Sequence, residues 1–236
     1  NDAMNAYNNQ LYSEAYKIFD EVIKDYDVED ELYSVARFYA ANSLLKMGKK
    51  DESTSGFEYI VNSIVWSKFR EESLFKLGLI YYDLNRFALS RKNHLMLIYQ
   101  YPNSEYLGSS MYWIGESYSA EGKLDDAIEF LTQAIEDKSA NRYRDHSIYA
   151  LASIYEKKHD YQNAVKYYDQ LLTYHSNSSL ALEAQVRIGV CYFYLKDYYN
   201  SILELNNPDI QKLPTENLSE ALYLLANSHY RVEEYS

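Results

Sequence analysis

A small residue followed three positions later by a large one returns every 37 residues along this chain: Ala41-x-x-Leu44, Gly78-x-x-Tyr81, Gly115-x-x-Tyr118, Ala152-x-x-Tyr155 and Gly189-x-x-Tyr192. A second small residue lies twelve positions after each, at Ser53, Ser90, Ala127, Ala164 and Ser201, and Ala15 opens that series at a spacing of 38. A fixed period of this length describes a stack of equivalent units. Each is too small to bury its own apolar face and is covered by its neighbours. The period overrides the one or two globular domains that 236 residues would otherwise suggest, because a stack grows by adding units.

Within residues 71–102, Leu74, Leu77, Gly78 and Tyr81 recur at three and four, which is one face of a helix. Residues 85–87 form a turn, and Ser90, His94, Leu97 and Ile98 mark a second helix. Tyr101-Pro102-Asn103-Ser104 closes it, since proline neither continues a helix nor lets its predecessor do so easily. Each unit is therefore an antiparallel pair, helix A followed by helix B. Glycine inside a helix costs about 1 kcal/mol against alanine. Its return at one phase of helix A implies a close approach by helix B that offsets the cost. The reading predicts about thirteen helices and no sheet, with helix A at about residues 70–83, 107–120, 144–157 and 181–194. Leu77, Gly78, Tyr81, Ile114, Gly115, Ala127, Leu151, Ala152, Ala164, Ile188 and Gly189 should form the core.

The units Met111-x-x-Ile114-Gly115-x-x-Tyr118 with Ala127-x-x-x-Leu131-x-x-Ala134, and Ile148-x-x-Leu151-Ala152-x-x-Tyr155 with Ala164-x-x-x-Tyr168-x-x-Leu171, resemble the tetratricopeptide repeat. The resemblance implies an all-α, right-handed superhelical solenoid of antiparallel helix pairs over residues 1–236. Its parts would be a partial repeat at 1–29, repeats at about 30–66, 67–103, 104–140, 141–177 and 178–214, and a partial repeat at 215–236. The spacing exceeds the family's usual 34. With the Tyr101-Pro102-Asn103-Ser104 linker, it is similar to repeats of bacterial envelope proteins, such as the TolA-binding coordinator of the Tol-Pal system and the outer-membrane-assembly lipoprotein. That likeness implies a periplasmic or envelope setting, with cytoplasm as the alternative. After Ser201, the run Asn206-Asn207-Pro208 and then Pro214 predicts a shortened helix B, with Thr215 capping the final helix.

Composition narrows the function. With 23 basic and 35 acidic residues the net charge is -12, and no basic stripe suits a phosphate backbone or an anionic membrane. No apolar run approaches the roughly 18 residues of a spanning helix. Residue 1 is Asn and no signal peptide precedes it, so the chain is read as a fragment or processed form. Cys191 is alone inside helix A and reads as an inert core thiol. The five histidines fall at unrelated phases, with no metal-binding spacing, and no glycine-rich phosphate loop occurs. The chain thus reads as non-catalytic, with no cofactor.

What remains is surface. Three positions before the small residue of helix A, the chain places Phe38, Phe75, Tyr112, Tyr149, Val186 and Tyr223. Four positions after it come Leu45, Tyr82, Ser119, Glu156, Phe193 and Tyr230. Both sets turn away from helix B and predict a concave groove with an aromatic floor. It would hold a protein or peptide segment, with Phe75, Tyr82, Tyr112, Tyr149, Phe193 and Tyr194 as contacts. Glu72, Asp83, Glu116, Glu156 and Glu183 would make it acidic, favouring an apolar segment with some Lys or Arg. Chaperone-binding members of the resembled family clamp a carboxylate with lysine at a position filled here by Val35, Glu72, Ser109, His146, Glu183 or Glu220, so that mode is not expected. Leu222, Leu225 and Tyr230 do not resemble a polar cap, which points to a continuing parent chain or to self-association through the C-terminal face. The alternative function is a repeat module mediating self-association within a larger regulatory or enzymatic protein.

Overall fold

The computed structural model describes residues 2–138 and 141–235, and among them there are thirteen α-helices and no strand. The helices are α1 Asp2–Asn8, α2 Tyr12–Asp25, α3 Glu31–Lys46, α4 Lys50–Ser63, α5 Arg70–Asp83, α6 Phe87–Gln100, α7 Leu107–Ala120, α8 Leu124–Glu136, α9 Arg144–Lys157, α10 Tyr161–Tyr174, α11 Ala181–Tyr194, α12 Tyr198–Leu205 and α13 Thr215–Tyr235. The four helices expected as helix A are α5, α7, α9 and α11, with the expected bounds. The chain divides into two compact units, one ending at Ser117 and one starting at Tyr118.

The turn between helix A and helix B has one design throughout. Gly48, Asn85, Gly122, His159 and Lys196, all at one phase of the repeat, have φ between 56° and 78°. The next residue's N–H then donates across the turn: Lys49 to Leu44 O at 3.0 Å, Arg86 to Tyr81 O at 2.7 Å, Lys123 to Tyr118 O at 3.0 Å, Asp160 to Tyr155 O at 2.9 Å and Asp197 to Tyr192 O at 3.0 Å. This is a Schellman closure, and it satisfies a carbonyl that the helix end leaves open. The recurring large residue of the motif supplies that carbonyl each time. Only glycine enters the left-handed region without a Cβ clash. Lys196→Gly should therefore raise stability by about 1 kcal/mol and Gly122→Ala lower it by a similar amount, read as opposite shifts of the urea midpoint.

The connection from helix B to the next helix A repeats as well. Asp30 accepts from Leu32 N–H, Ser67 from Phe69, Ser104 from Tyr106, Asn141 from Tyr143 and Ser178 from Leu180, at 2.7–3.2 Å. Each is a short polar side chain turning the chain into a helix start.

Helix pairs lock through a small residue against a large one. A Cβ built at Gly78 would lie 2.5 Å from Cδ2 and Cε1 of His94 on α6, and nearer still to Nε2. One built at Gly189 would lie 2.6 Å from Cγ of Leu205 on α12. The matching helix B residues Phe57, His94, Leu131, Tyr168 and Leu205 are all buried. The eleven expected core positions are buried as well. Between neighbouring units, the small residue of helix B meets the next helix A 27 positions on. Where both are serine they hydrogen-bond inside the core: Ser117 Oγ to Ser90 Oγ at 3.3 Å, and Ser228 Oγ to Ser201 Oγ at 3.0 Å. Where the first is Ala164, Cys191 takes the second place in the same apolar cluster.

The sixth pair departs from the pattern as expected. Helix α12 has 8 residues, and a 3₁₀ turn, Pro208–Lys212, follows it. Ile210 on that turn is buried with Val186, Val190, Leu205, Ala221 and Leu224, so it fills space that a second half of helix B would occupy. One detail differs from expectation. The Leu218 N–H bonds to Pro214 O, and Thr215 is the first residue of α13 rather than its cap. The Pro214 carbonyl is already placed to accept the first helical bond, and Thr215 instead receives the Ser219 hydroxyl at its carbonyl.

Candidate partner-binding surfaces

In the first unit the aromatic ladder is partly consumed by packing. Phe75 stacks on Tyr106 at 4.6 Å and meets the edge of His94 at 5.5 Å. Tyr82 packs edge-on to Trp113 at 4.8 Å, and its hydroxyl is held up at about 12, by burial first and then by Glu116 and Asp83. Tyr112, expected as a contact, is only 7 % exposed and lies edge-on to Trp113 at 5.0 Å. It supports the floor and offers little surface. Phe38 is likewise buried, stacked on Phe69 at 4.3 Å. Two contacts account for this: Phe69 and Tyr106, just before the next helix A, stack on Phe38 and Phe75, and the helix B rings of Phe57 and His94 meet their edges, so these rungs do not turn away from helix B as expected. Tyr106 and Trp113 belong to this layer and were not anticipated; Tyr106 immediately precedes α7, and Trp113 is one position after the ladder residue Tyr112.

In the second unit, Tyr149 packs edge-on to Tyr168 at 5.3 Å. Burial and a hydrogen bond with Glu183 lift its hydroxyl well above the usual tyrosine range. Tyr194 stacks on Tyr161 at 5.0 Å and keeps 50 % of its surface exposed. Phe193 lies edge-on to Tyr194 at 5.7 Å and to Tyr198 at 5.6 Å. Tyr223, the last rung of the ladder, is 66 % exposed on α13.

The acidity expected along helix A is largely neutralised within the molecule. Glu72 pairs with Lys76 at 3.3 Å and Asp83 with Lys50 at 2.7 Å. Arg187 on α11 is the centre of a network. Its Nε donates to Glu156 Oε2 at 3.1 Å, its Nη2 pairs closely with Glu156 Oε1, and its Nη1 donates to Glu220 Oε2 at 2.7 Å. The Tyr168 hydroxyl adds a bond to Glu156 at 3.1 Å, and Asn217 Nδ2 donates to Glu183 at 3.3 Å. These groups border a cleft of about 280 Å³ to which α9, α11 and α13 all contribute, through Tyr149, Glu156, Glu183, Arg187 and Asn217. Three successive members of the helix A series thus share one polar recess with an aromatic wall.

Cys191 and His94 sit in the core. Cys191 is fully buried, and burial pushes its thiol up to about 12, so it is held as an uncharged thiol. His94 is fully buried and its pKa is lowered to about 3 by burial, so the ring is neutral. Among the described residues no three His, Cys, Asp or Glu group to hold a metal ion, and no helix is long and apolar enough to cross a membrane.

The helix pairs α5–α6, α7–α8 and α9–α10 coincide with three matches to family models, at residues 72–104, 108–137 and 147–178, each described as a tetratricopeptide repeat. These three stretches, under half of the chain, match tetratricopeptide-repeat models. Several solved structures are similar in fold. MamA residues 41 to the end, from Desulfovibrio magneticus RS-1, aligns with TM-score 0.63 and 12 % identity over 76 % of this chain and 94 % of its own. YrrB, a tetratricopeptide-repeat protein with an unusual peptide-binding site, aligns with TM-score 0.63 and 13 % identity over 87 % of this chain and 96 % of its own. Cut9, or its partner in the Cut9–Hcn1 hetero-tetramer of APC/C, aligns with TM-score 0.59 and 17 % identity over 96 % of this chain but 41 % of the other. No curated protein sequence matches the chain. At these identities the likeness establishes the fold.

Proposed function

We propose that this protein is a non-catalytic interaction scaffold that holds a segment of a partner protein along its helix A faces. The observation that carries the proposal is the recess shared by α9, α11 and α13, where Tyr149 forms a wall and a satisfied polar network forms the floor. Such a surface is preorganised: its side chains are already ordered, so a ligand bears little of the cost of fixing them. The peptide site of YrrB, on a similar fold, supports this reading. In the first unit the corresponding contacts are Phe75 and Tyr82, with Tyr112 beneath them. In the second they are Tyr149, Phe193 and Tyr194. Because Glu72, Asp83, Glu156 and Glu220 are paired with cations, apolar anchoring outweighs charge in selecting the segment. The setting we favour, a bacterial cell-envelope assembly, rests on the length of the repeat and its Tyr-Pro-x-Ser linker.

Tyr194 and Tyr223 are exposed enough to change without disturbing the core. A Tyr194→Ala, Tyr223→Ala variant should keep its thermal stability within about 0.5 kcal/mol. It should lose at least about tenfold in affinity for a validated partner. Full affinity in a folded variant rejects the helix A face as the binding surface.

A second reading is favoured by one observation. Leu222 and Tyr230 on α13 are exposed, and Ala226 sits where earlier units bury their small residue under helix B. We infer self-association through this face. Sedimentation velocity should show a concentration-dependent dimer that Leu222→Glu abolishes; a monomer at all concentrations rejects it.

A further inference from the structure

The repeat provides its own internal comparison for the outward pole of each helix B, the side opposite its buried residues. On α4 that pole is Asp51, Ser55, Glu58 and Asn62; on α8 it is Asp125, Glu129, Thr132 and Glu136; on α10 it is Gln162, Lys166, Asp169 and Thr173. At the same phase α6 has Ala88, Lys92, Leu95 and Tyr99. Tyr99 is 87 % exposed and Leu95 42 %. Leu89 beside them is also exposed, where α4, α8 and α10 have Glu52, Asp126 and Asn163. No carboxylate occurs anywhere in α6, and Arg91 and Lys92 make it basic on a chain of net charge -12. These side chains line a trough of about 500 Å³ along the helix. Of the other helices B, α2, α4, α8 and α10 are polar at this phase, while the short α12 also exposes Tyr199 and Leu203 but contains Glu204; α6 joins an apolar pole to a basic one with no carboxylate, which requires a contact other than solvent.

We propose that the outward face of α6 is a docking surface for an amphipathic helix of another protein, one whose apolar stripe is flanked by carboxylates. The span from residue 88 to 99 is about 16 Å, three helical turns, which suits a helix laid in a groove with anchors at turn spacing. The charge selects the flanks: Lys92 attracts carboxylates and repels a basic helix, and Arg91, whose Nη1 donates to Ser117 O at 3.3 Å, adds positive charge beside it. A second copy docking through its own α6 fits worse, because that sets like charges together, and the aligned poles of α4, α8 and α10 have no apolar stripe; docking by the exposed α13 of a second copy is the case that the dimer arm of the test distinguishes. An anionic membrane fits worse because its broad surface would face the acidic chain at large, whereas a helix laid in the trough meets chiefly α6, which has no carboxylate. This surface is separate from the helix A faces, and the proposal does not rest on the function argued above.

The test uses the whole chain and two fluorescent helical peptides of about four turns, sharing one leucine stripe and differing only in Glu or Lys flanks. Anisotropy should show binding of the Glu-flanked peptide at least about tenfold tighter than the Lys-flanked one. Leu95→Glu with Tyr99→Ala should weaken it about tenfold or more while leaving the melting curve unchanged, and Lys92→Glu should erase the preference between peptides. Tyr194→Ala with Tyr223→Ala should leave it intact. No binding, equal binding of both peptides, or binding insensitive to Leu95 and Tyr99 overturns the proposal. So does a dimer of the wild type that Leu95→Glu abolishes, which makes a second copy the occupant. Sedimentation with phosphatidylserine vesicles that depends on Leu95 overturns it in favour of a membrane.

Discussion

Replacing Gly78 by leucine should destabilise the protein by about 3 kcal/mol or more, because the His94 ring already occupies the space of even a first side-chain carbon. Both residues are buried, and α5 and α6 meet along this contact, so neither helix can draw back without opening its other packing. Gly78→Ala separates two effects. Alanine favours the helix by about 1 kcal/mol, while overpacking against His94 opposes it by about 1–3 kcal/mol. The double variant Gly78→Ala, His94→Ala distinguishes them: the second change opens the space that the first one fills. Its loss should be smaller than the sum of the single losses by about 1 kcal/mol or more, measured by urea unfolding. Additive losses would show that helix B does not lock onto helix A at this phase.

His94 also makes stability depend on pH. Its ring is fully buried, Nδ1 lies 3.2 Å from Ser110 Oγ, and among the described residues Nε2 has no hydrogen-bond partner. Burial alone lowers its pKa from 6.5 to about 3. The unfolded chain therefore binds a proton below pH of about 6.5 that the folded chain refuses until about 3. Stability is full above 6.5 and falls as the pH drops through that window, at about 1.4 kcal/mol per unit, or about 3 kcal/mol by pH 4.5. Leucine stands at the equivalent place in Leu131 and Leu205, so His94→Leu keeps a side chain that the fold accepts. The variant should match or exceed the wild type at pH 7 and lose less on acidification. The difference between the two pH profiles isolates His94 from the carboxylates, which titrate in both.

Much of this fold was legible because the same packing problem is solved many times. Gly78 and Gly189 are explained only by a neighbour that needs their space, and the period says where that neighbour comes from. The linker was read less well, since Tyr101-Pro102-Asn103-Ser104 occurs in full once. Its working part is a short acceptor at one position, which Asp30, Ser67, Asn141 and Ser178 supply equally, so the signal lies in a class of side chain and not in one residue. The candidate surface was only half legible. Periodicity located the ladder but not its surroundings: Phe38, Phe75 and Tyr149 meet the helix B rings of Phe57, His94 and Tyr168 instead of turning away from them, and Phe69 and Tyr106, on the approach to the next helix, cover Phe38 and Phe75. The carboxylates were located, but their neutralisation depends on Arg187 reaching Glu156 and Glu220, at distances of 31 and 33 residues in the chain. The apolar pole of α6 was in the sequence throughout. It becomes visible only when the outward positions, rather than the core positions, are compared across repeats.

The central claim is that a partner segment lies on the helix A faces. It is tested most directly by placing a photocrosslinking phenylalanine analogue at Tyr194 or Tyr223, and at Thr173 on the outward pole of α10, in the cells that make the protein. The account predicts that a common partner is captured from 194 and 223 and not from 173. Capture of that partner only from 173, or from none of the three while it still copurifies, would contradict it.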